Sequence, residues 1–284
     1  MILQREIIKL SEKHGVPTST IDKDWVLGHF LNALFEFQFA KDLLVFKGGT
    51  CLRKCYFENY RFSEDLDFTL IDEKFAIDES IIKSCIKKAH EISGIKFNLF
   101  SLRKQIFEDT DQGYEIVIKF WGANHKVNQK PLPVNRWQDK IKLDIVFSEK
   151  VFEPTAIKPI IHNYSDKILI TNQVNVYSCN EIIVEKLRSL IQRNRPRDIY
   201  DLWYLAKNID IQSYTTLKDL LLNKAQHKKI KVERIAQFIN KDKFNANQLA
   251  WKQSLQTQLN SNDIPDFDQA YSQVHDFIAK ILNS

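Results

Sequence analysis

Glycine is scarce in this chain, with seven among 284 residues. Neither a G-x-G-x-x-G turn nor a G-x-x-x-x-G-K-[ST] loop occurs, which excludes the backbone cradles of Rossmann and P-loop proteins. Cysteine is equally sparse. Cys51, Cys55, Cys85 and Cys179 have neither zinc-ligand nor disulfide-framework spacing, as expected of inert, buried thiols in a reducing compartment. No apolar run approaches the roughly 20 residues that cross a bilayer. The N-terminus reads as a charged helix, Leu3 to Lys13, and not as a signal peptide. A cytoplasmic protein with no membrane partner is therefore expected. Internal repeats and low-complexity tracts are absent as well. The net charge of +5 is modest, so a histone-like surface is excluded. Hydrophobic content of 44% and charged content of 27% fit a globular chain of one large or two ordinary domains.

Two of the few glycines stand side by side in FKGGTCLRKCYFENYRFSEDLDF, Phe46 to Phe68. Asp42 to Phe46 reads as a short buried strand ending in Gly48-Gly49, with Thr50 as N-cap of a helix over Cys51 to Phe57. A strand, a glycine pair and a helix start form a site suited to an anion, because unpaired N–H groups and the helix dipole both face it. Taken alone, the pair can also be a plain tight turn. About fifteen residues on, Asp65-Leu66-Asp67-Phe68 alternates polar and apolar. On a strand both carboxylates project from one face. Two acids so close repel unless a cation lies between them, and oxygen donors select Mg²⁺ or Mn²⁺; the plainer alternative is the solvated face of an edge strand. Asp144 lies in another apolar strand, Ile141 to Phe147, which is an unusual place for an unpartnered acid. If that strand lies beside the first, three carboxylates converge in a set suited to two-metal chemistry.

These residues resemble the DNA-polymerase-beta-like nucleotidyltransferase superfamily, and KGGTCLRK…RFSEDLDF is similar more closely to the AbiEii/AbiGii toxin family of type IV toxin–antitoxin systems. Arg61 and Ser63, just before the acid pair, narrow the match. A second block supports it: Glu185-Lys186-Leu187-Arg188, Arg193, then Arg197-Asp198-Ile199-Tyr200-Asp201-Leu202. The resemblance implies an α+β nucleotidyltransferase fold, a mixed sheet with flanking helices, followed by a C-terminal helical bundle. It implies a transferase that moves NMP from an NTP to a hydroxyl acceptor and releases pyrophosphate. Asp65, Asp67 and Asp144 would hold Mg²⁺ (or Mn²⁺). Gly48, Gly49, Thr50, Arg61, Ser63, Lys186 and Arg193 would bind the nucleotide, with Arg197, Asp198 and Asp201 in support. RNA, the 3′ end of tRNA in particular, is the expected acceptor, and a cognate antitoxin the expected partner. The alternatives are a small-molecule (antibiotic-type) nucleotidyltransferase, or a non-catalytic nucleotide- or RNA-binding module of the same fold.

Along the chain, a helical segment over 1–40 precedes a core over 41–175 and a helical domain over 176–284. Trp25 to Phe39 shows one apolar face. Strands are expected near 43–46, 65–71, 95–101, 114–121 and 141–148, with a helix near 77–92 and a loop over 124–140. Ile168-Leu169-Ile170 reads as extended. Downstream helices are expected near 180–193, 197–207, 215–226, 231–239, 246–259 and 267–281. Pro196 should open the second of these. Lys186 lies off the apolar stripe of the first and can reach a phosphate, across a cleft from Asp65 and Asp67. Arg188, Arg193, Arg195, Arg197, Lys224, Lys228, Lys229, Lys231 and Arg234 form a basic stretch able to neutralise RNA, and Trp203, Tyr204, Tyr214 and Trp251 can stack on bases or pack in the core.

Overall fold

The computed structural model describes residues 1–126 and 128–284. Val127, inside the expected 124–140 loop, lies outside the described residues. The chain forms two compact units, one of Met1–Val151 with Thr155–Tyr177, the other of Phe152–Pro154 with Ser178–Ser284.

In the first unit, α1 (Gln4–His14) stops at Gly15, which takes φ 61° in the left-handed cap position. In α2 (Thr18–Leu34) every residue from Ile21 to Leu34 except Lys23 is buried. The one-sided apolar face expected near 25–39 is thus replaced by a helix enclosed on all sides, the signature of a core element. It carries four buried polar residues, Asp22, Asp24, His29 and Asn32. Such residues belong in a core only with partners.

After α3 (Gln38–Leu43) come β1 (Leu44–Lys47), α4 (Gly48–Cys51) and a π-helical turn over Leu52–Tyr56, then β2 (Asp65–Leu70). Next, α5 (Glu79–Ser93) begins at Asp78, whose carboxylate accepts the Ser80 and Ile81 N–H groups at 2.9 and 3.0 Å. The strands β3 (Lys96–Phe107), β4 (Thr110–Trp121), β5 (Lys140–Val146), β6 (Ala156–Pro159) and β7 (Gln173–Val176) complete a seven-stranded sheet in the order β3-β4-β5-β2-β1-β7-β6. The sheet is mixed: β2 runs parallel to β5 and β1 parallel to β7, while the other neighbours are antiparallel.

Two expectations are corrected in this unit. The third strand continues well past residue 101 to Phe107 and turns at Glu108-Asp109, both with positive φ (48° and 58°), the conformation a two-residue hairpin requires. Ile168 and Leu169 are not extended but part of a 3₁₀ turn, Lys167–Leu169; only Ile170 after it has extended backbone. The turn closes its own bonds, Leu169 N–H on the Asp166 carbonyl at 2.9 Å and Ile170 N–H on the Lys167 carbonyl at 3.1 Å, and the groups that leave it go to a side chain instead of a strand. Asn32 donates to the Leu169 carbonyl at 3.2 Å and accepts the Thr171 and Asn172 N–H groups at 3.0 Å each.

The second unit holds α6 (Cys179–Gln192), α7 (Pro196–Asn208), α8 (Tyr214–His227), α9 (Lys241–Leu255) and α10 (Phe267–Asn283). Pro196 is the first residue of α7, as its fixed φ favours. The helix expected over 231–239 is only a 3₁₀ turn, Ile235–Gln237. There the Gln237 side chain takes the Glu233 and Arg234 N–H groups at 2.7 and 3.0 Å, satisfying the backbone without an α-helix. The following helix starts five residues early because Asn240 caps it, accepting the Lys243 N–H at 3.0 Å. Two members of the basic stretch are interior: Arg188 and Lys224 are 7% and 2% exposed, and Lys224 Nζ lies 2.8 Å from Glu181. Trp251 is a core residue, with its N–H on the Pro265 carbonyl at 2.8 Å.

Candidate active site

The glycine bend meets the acid strand directly. The helical turn spans Gly48–Cys51 directly after Lys47, and so starts earlier than a cap at Thr50 would place it. Gly48 takes φ +82°, and a Cβ there would collide with the Asp67 carboxylate. Only glycine supplies both the left-handed backbone and the space. At Gly49 only space is at stake: a Cβ would lie 2.7 Å from Arg61 Nη2 and 3.1 Å from Ser63 Oγ, so the end of the Arg61 side chain would have to move. Arg61 is buried, and its Nη1 donates to the Phe62 carbonyl at 3.2 Å. The Thr50 hydroxyl turns inward and donates to the Asp65 carbonyl at 2.5 Å. Thr50 therefore ties the bend to β2, and it is the N-terminal backbone of this helix that can meet an anion.

The carboxylates come together through strand register. Asp67 pairs with Asp144 across the parallel β2–β5 ladder, and Lys47 pairs with Asp67 across β1–β2. Glu115 of β4 pairs with Asp144 on its other side. One row across four strands thus reads Lys47, Asp67, Asp144, Glu115, with Asp65 one pleat away on the same face. Burial and then the Asp144 charge push the Asp65 carboxyl above its ordinary range. Burial is the larger cause, and the neighbouring acid adds to it against the pull of Lys142. Oxygen donors converging in this way fit a hard divalent cation, and Asp65, Asp67 and Asp144 are the residues that would hold it.

Four neighbours escaped the sequence reading. Lys142 sits between two acids, with Nζ 2.9 Å from Glu115 and 3.0 Å from Asp144. Burial would lower its pKa, but the hydrogen bonds to Glu115 and Asp144 outweigh that and raise it. Gln105 donates to Asp144 at 2.9 Å. Lys47, 6% exposed, holds its ammonium 5.6 Å above the Tyr177 ring. Strand period could have flagged Lys142, two residues before Asp144. Gln105 lies beyond the expected 95–101 strand, in the part of β3 that carries no sequence signal of its own.

The bend is braced from behind by α2. Asp24 accepts from Arg53 Nε and Lys54 Nζ, each at 2.7 Å, and from the Tyr164 hydroxyl at 2.8 Å. Arg53 also lies 3.5 Å over the Phe62 ring. Burial opposes the ionised form of Asp24, yet its two cations hold the carboxyl well below the usual range.

In the second unit, Lys186 is engaged by two buried acids. Its Nζ lies 2.9 Å from Asp198 and 2.8 Å from Asp201, which are 1% and 0% exposed. Arg193 joins Asp198 at 3.0 Å. Burial would raise the Asp198 carboxyl, but Lys186 and Arg193 hold it below its ordinary value. The i, i+3 spacing of Asp198 and Asp201 on α7 is what lets both reach one ammonium. Arg197 is exposed and is not one of the cations on Asp198.

The sequence model of the nucleotidyl transferase AbiEii toxin, type IV toxin–antitoxin system, matches residues 29–273. No curated protein matches the chain. Among solved structures it is similar to MenT4, a nucleotidyltransferase toxin from Mycobacterium tuberculosis H37Rv, with a TM-score of 0.69 and 17% identity over 100% of this chain and 91% of that one. It is similar also to JHP933 from Helicobacter pylori, with a TM-score of 0.57, 17% identity and 94% of each chain covered. A putative nucleotidyltransferase from H. pylori gives a TM-score of 0.52 and 17% identity over 91% of this chain and 92% of that one. At such identities these structures speak to the fold, a mixed sheet with flanking helices.

Proposed function

This chain belongs to the AbiEii nucleotidyltransferase toxin family of type IV toxin–antitoxin systems, and from that premise we propose that it transfers NMP from an NTP to an RNA hydroxyl, the 3′ end of tRNA in particular, with Asp65, Asp67 and Asp144 as the metal-holding acids. The observation that carries this reading is the packing of Gly48 against Asp67, with Asp144 in register beside it. A phosphate chain held at the bend has its reacting end beside the carboxylates. A divalent ion bound by these acids supplies Lewis-acid stabilisation of phosphoryl charge. The Gly48–Thr50 backbone receives the β- and γ-phosphates, and Arg61 and Ser63 fix its shape. Asp144 completes the acid set or accepts the proton of the acceptor hydroxyl. The acceptor oxygen bonds to the α-phosphorus, the bond to the bridging oxygen breaks, and pyrophosphate departs. Lys186 and Arg193 keep the nucleotide-binding role that the family resemblance gives them, held in place within the second unit by Asp198 and Asp201.

RNA as acceptor is supported by the family and by exposed Arg195, Arg197, Lys229, Lys231 and Arg234. Type IV systems pair a toxin with an antitoxin, so a cognate antitoxin is the protein partner of this reading. Incubation with total cellular RNA, Mg²⁺ and each labelled NTP in turn, followed by sizing, tests the acceptor. Label in the tRNA band supports the proposal. Label confined to small molecules, or absent with every NTP, contradicts it.

A further inference from the structure

Distant from the carboxylate row in sequence, two histidines and an aspartate meet in the first unit. His29 on α2 places Nε2 3.1 Å from Asp166 Oδ2, and His162 places Nε2 3.3 Å from Asp166 Oδ1. Their ligand atoms all lie within 4.8 Å of one another. The two rings are buried and stack edge to face with centroids 4.8 Å apart. Both turn the same nitrogen toward the shared carboxylate, and neither Nδ1 has a hydrogen-bond partner. The orientation of each ring is therefore set by what lies at Nε2. Around a tetrahedral ion with bonds near 2.0–2.1 Å, neighbouring donors stand roughly 3.3 Å apart; each imidazole stands 3.1 or 3.3 Å from its own carboxylate oxygen, a hydrogen-bond distance, and the ligand atoms spread over at most 4.8 Å, so the set lies within a small closure of a metal-binding arrangement.

Supporting groups surround this set. Trp25 donates its indole N–H to both Asp166 oxygens, at 3.2 and 3.1 Å, and so fixes the carboxylate plane. Gly28, in the middle of α2, gives the His162 ring its seat, since any Cβ there would strike it. Glycine in a helix interior costs about 1 kcal/mol relative to alanine, so its presence here has a packing reason.

We propose that His29, His162 and Asp166 form a second metal site, for a borderline transition ion of the zinc class, separate in place and chemistry from the acid row. Two imidazoles with one carboxylate favour such an ion over Mg²⁺, which takes oxygen donors. The ion clips the β6–β7 connection onto α2. Tyr164, within that connection, bonds Asp24, so the clip also steadies the brace behind the glycine bend.

The full chain is purified without chelator, dialysed against Mg²⁺ buffer and analysed for metals. It is also titrated with Co²⁺ while visible absorption is followed. The expected result is about one tightly held zinc per chain and a Co²⁺ spectrum of low-symmetry nitrogen and oxygen ligation. Both are lost in His162→Gln and Asp166→Asn and kept in Asp67→Asn. Chelation should speed hydrogen exchange across residues 160–170 in the wild type. A folded wild type that takes up neither zinc nor Co²⁺ overturns the proposal and leaves a hydrogen-bonded cluster. So does zinc that survives His162→Gln but not Asp67→Asn. The wild-type measurement decides even if a variant fails to fold.

Discussion

Lys142 occupies the most consequential single position beside the acid row. Its ammonium lies between Glu115 and Asp144, and its charge also pulls down the Asp65 carboxyl that burial and Asp144 push up. Lys142→Gln removes that opposing charge, so ionising the acid set then requires higher pH. The acidic limb of the kcat/KM profile should move upward by about half to one pH unit; an unmoved limb, or one displaced to lower pH, contradicts the assignment. Gly48 gives a steric test of the same locality. At φ +82° an alanine costs about 1–2 kcal/mol in backbone strain, and its methyl group must displace Asp67. Gly48→Ala should lower transfer at least about tenfold with a modest fall in Tm. Normal transfer by that variant would show that the bend and the acid do not act together.

At the scale of elements, α2 organises the first unit through its buried polar residues, and Asp22 has another acid, Asp139, and no cation among the charges that shift it. Its Oδ1 accepts the Ala123 N–H at 2.8 Å. Burial nevertheless pushes the carboxyl up to about 6, against the pull of the Ala123 and Asn124 N–H groups. The folded pKa is raised, so the stability it contributes is complete below the ordinary aspartate value of 3.8 and is lost as pH rises through about 6. Asp22→Asn should match the wild type near pH 4 and exceed it at pH 8 by up to about 3 kcal/mol, measured by urea melts at both values. Parallel stability profiles would contradict this.

The same elements show what the sequence could reveal. Asp65, Asp67 and Asp144 were legible because strand period 2 and apolar flanks single out an acid that needs a partner. Lys142 obeys the same period but reads as a solvated lysine, since nothing local announces Glu115 as its neighbour. Gln105 was hidden by the register shifts in β3, at Leu99/Ser101 and Gln105/Ile106, which break the alternation. Asp24, His29 and Asn32 were hidden for another reason. A helix enclosed on every side has no polar face, and the partners of His29 and Asn32 lie well over a hundred residues away. The α9 start is marked by the Asn240 cap, while the apolar residues that suggest a later start lie further on.

At the scale of the whole molecule, no described helix is long and apolar enough to cross a membrane. The family assignment shows a nucleotidyltransferase toxin, and the chemistry proposed for its gathered acids is metal-assisted transfer of a nucleotide. That claim turns on Asp67, which faces the glycine bend on one side and Asp144 on the other. Its removal should cost several kcal/mol of transition-state stabilisation, at least about a hundredfold in rate. The most direct measurement compares the wild type with Asp67→Asn in transfer of labelled NMP to RNA with Mg²⁺ present, with melting curves run on both. The prediction is Mg²⁺-dependent labelling by the wild type and loss of it in a variant that melts at nearly the same temperature. Equal labelling by a folded Asp67→Asn, or wild-type labelling that persists without divalent metal, would contradict it.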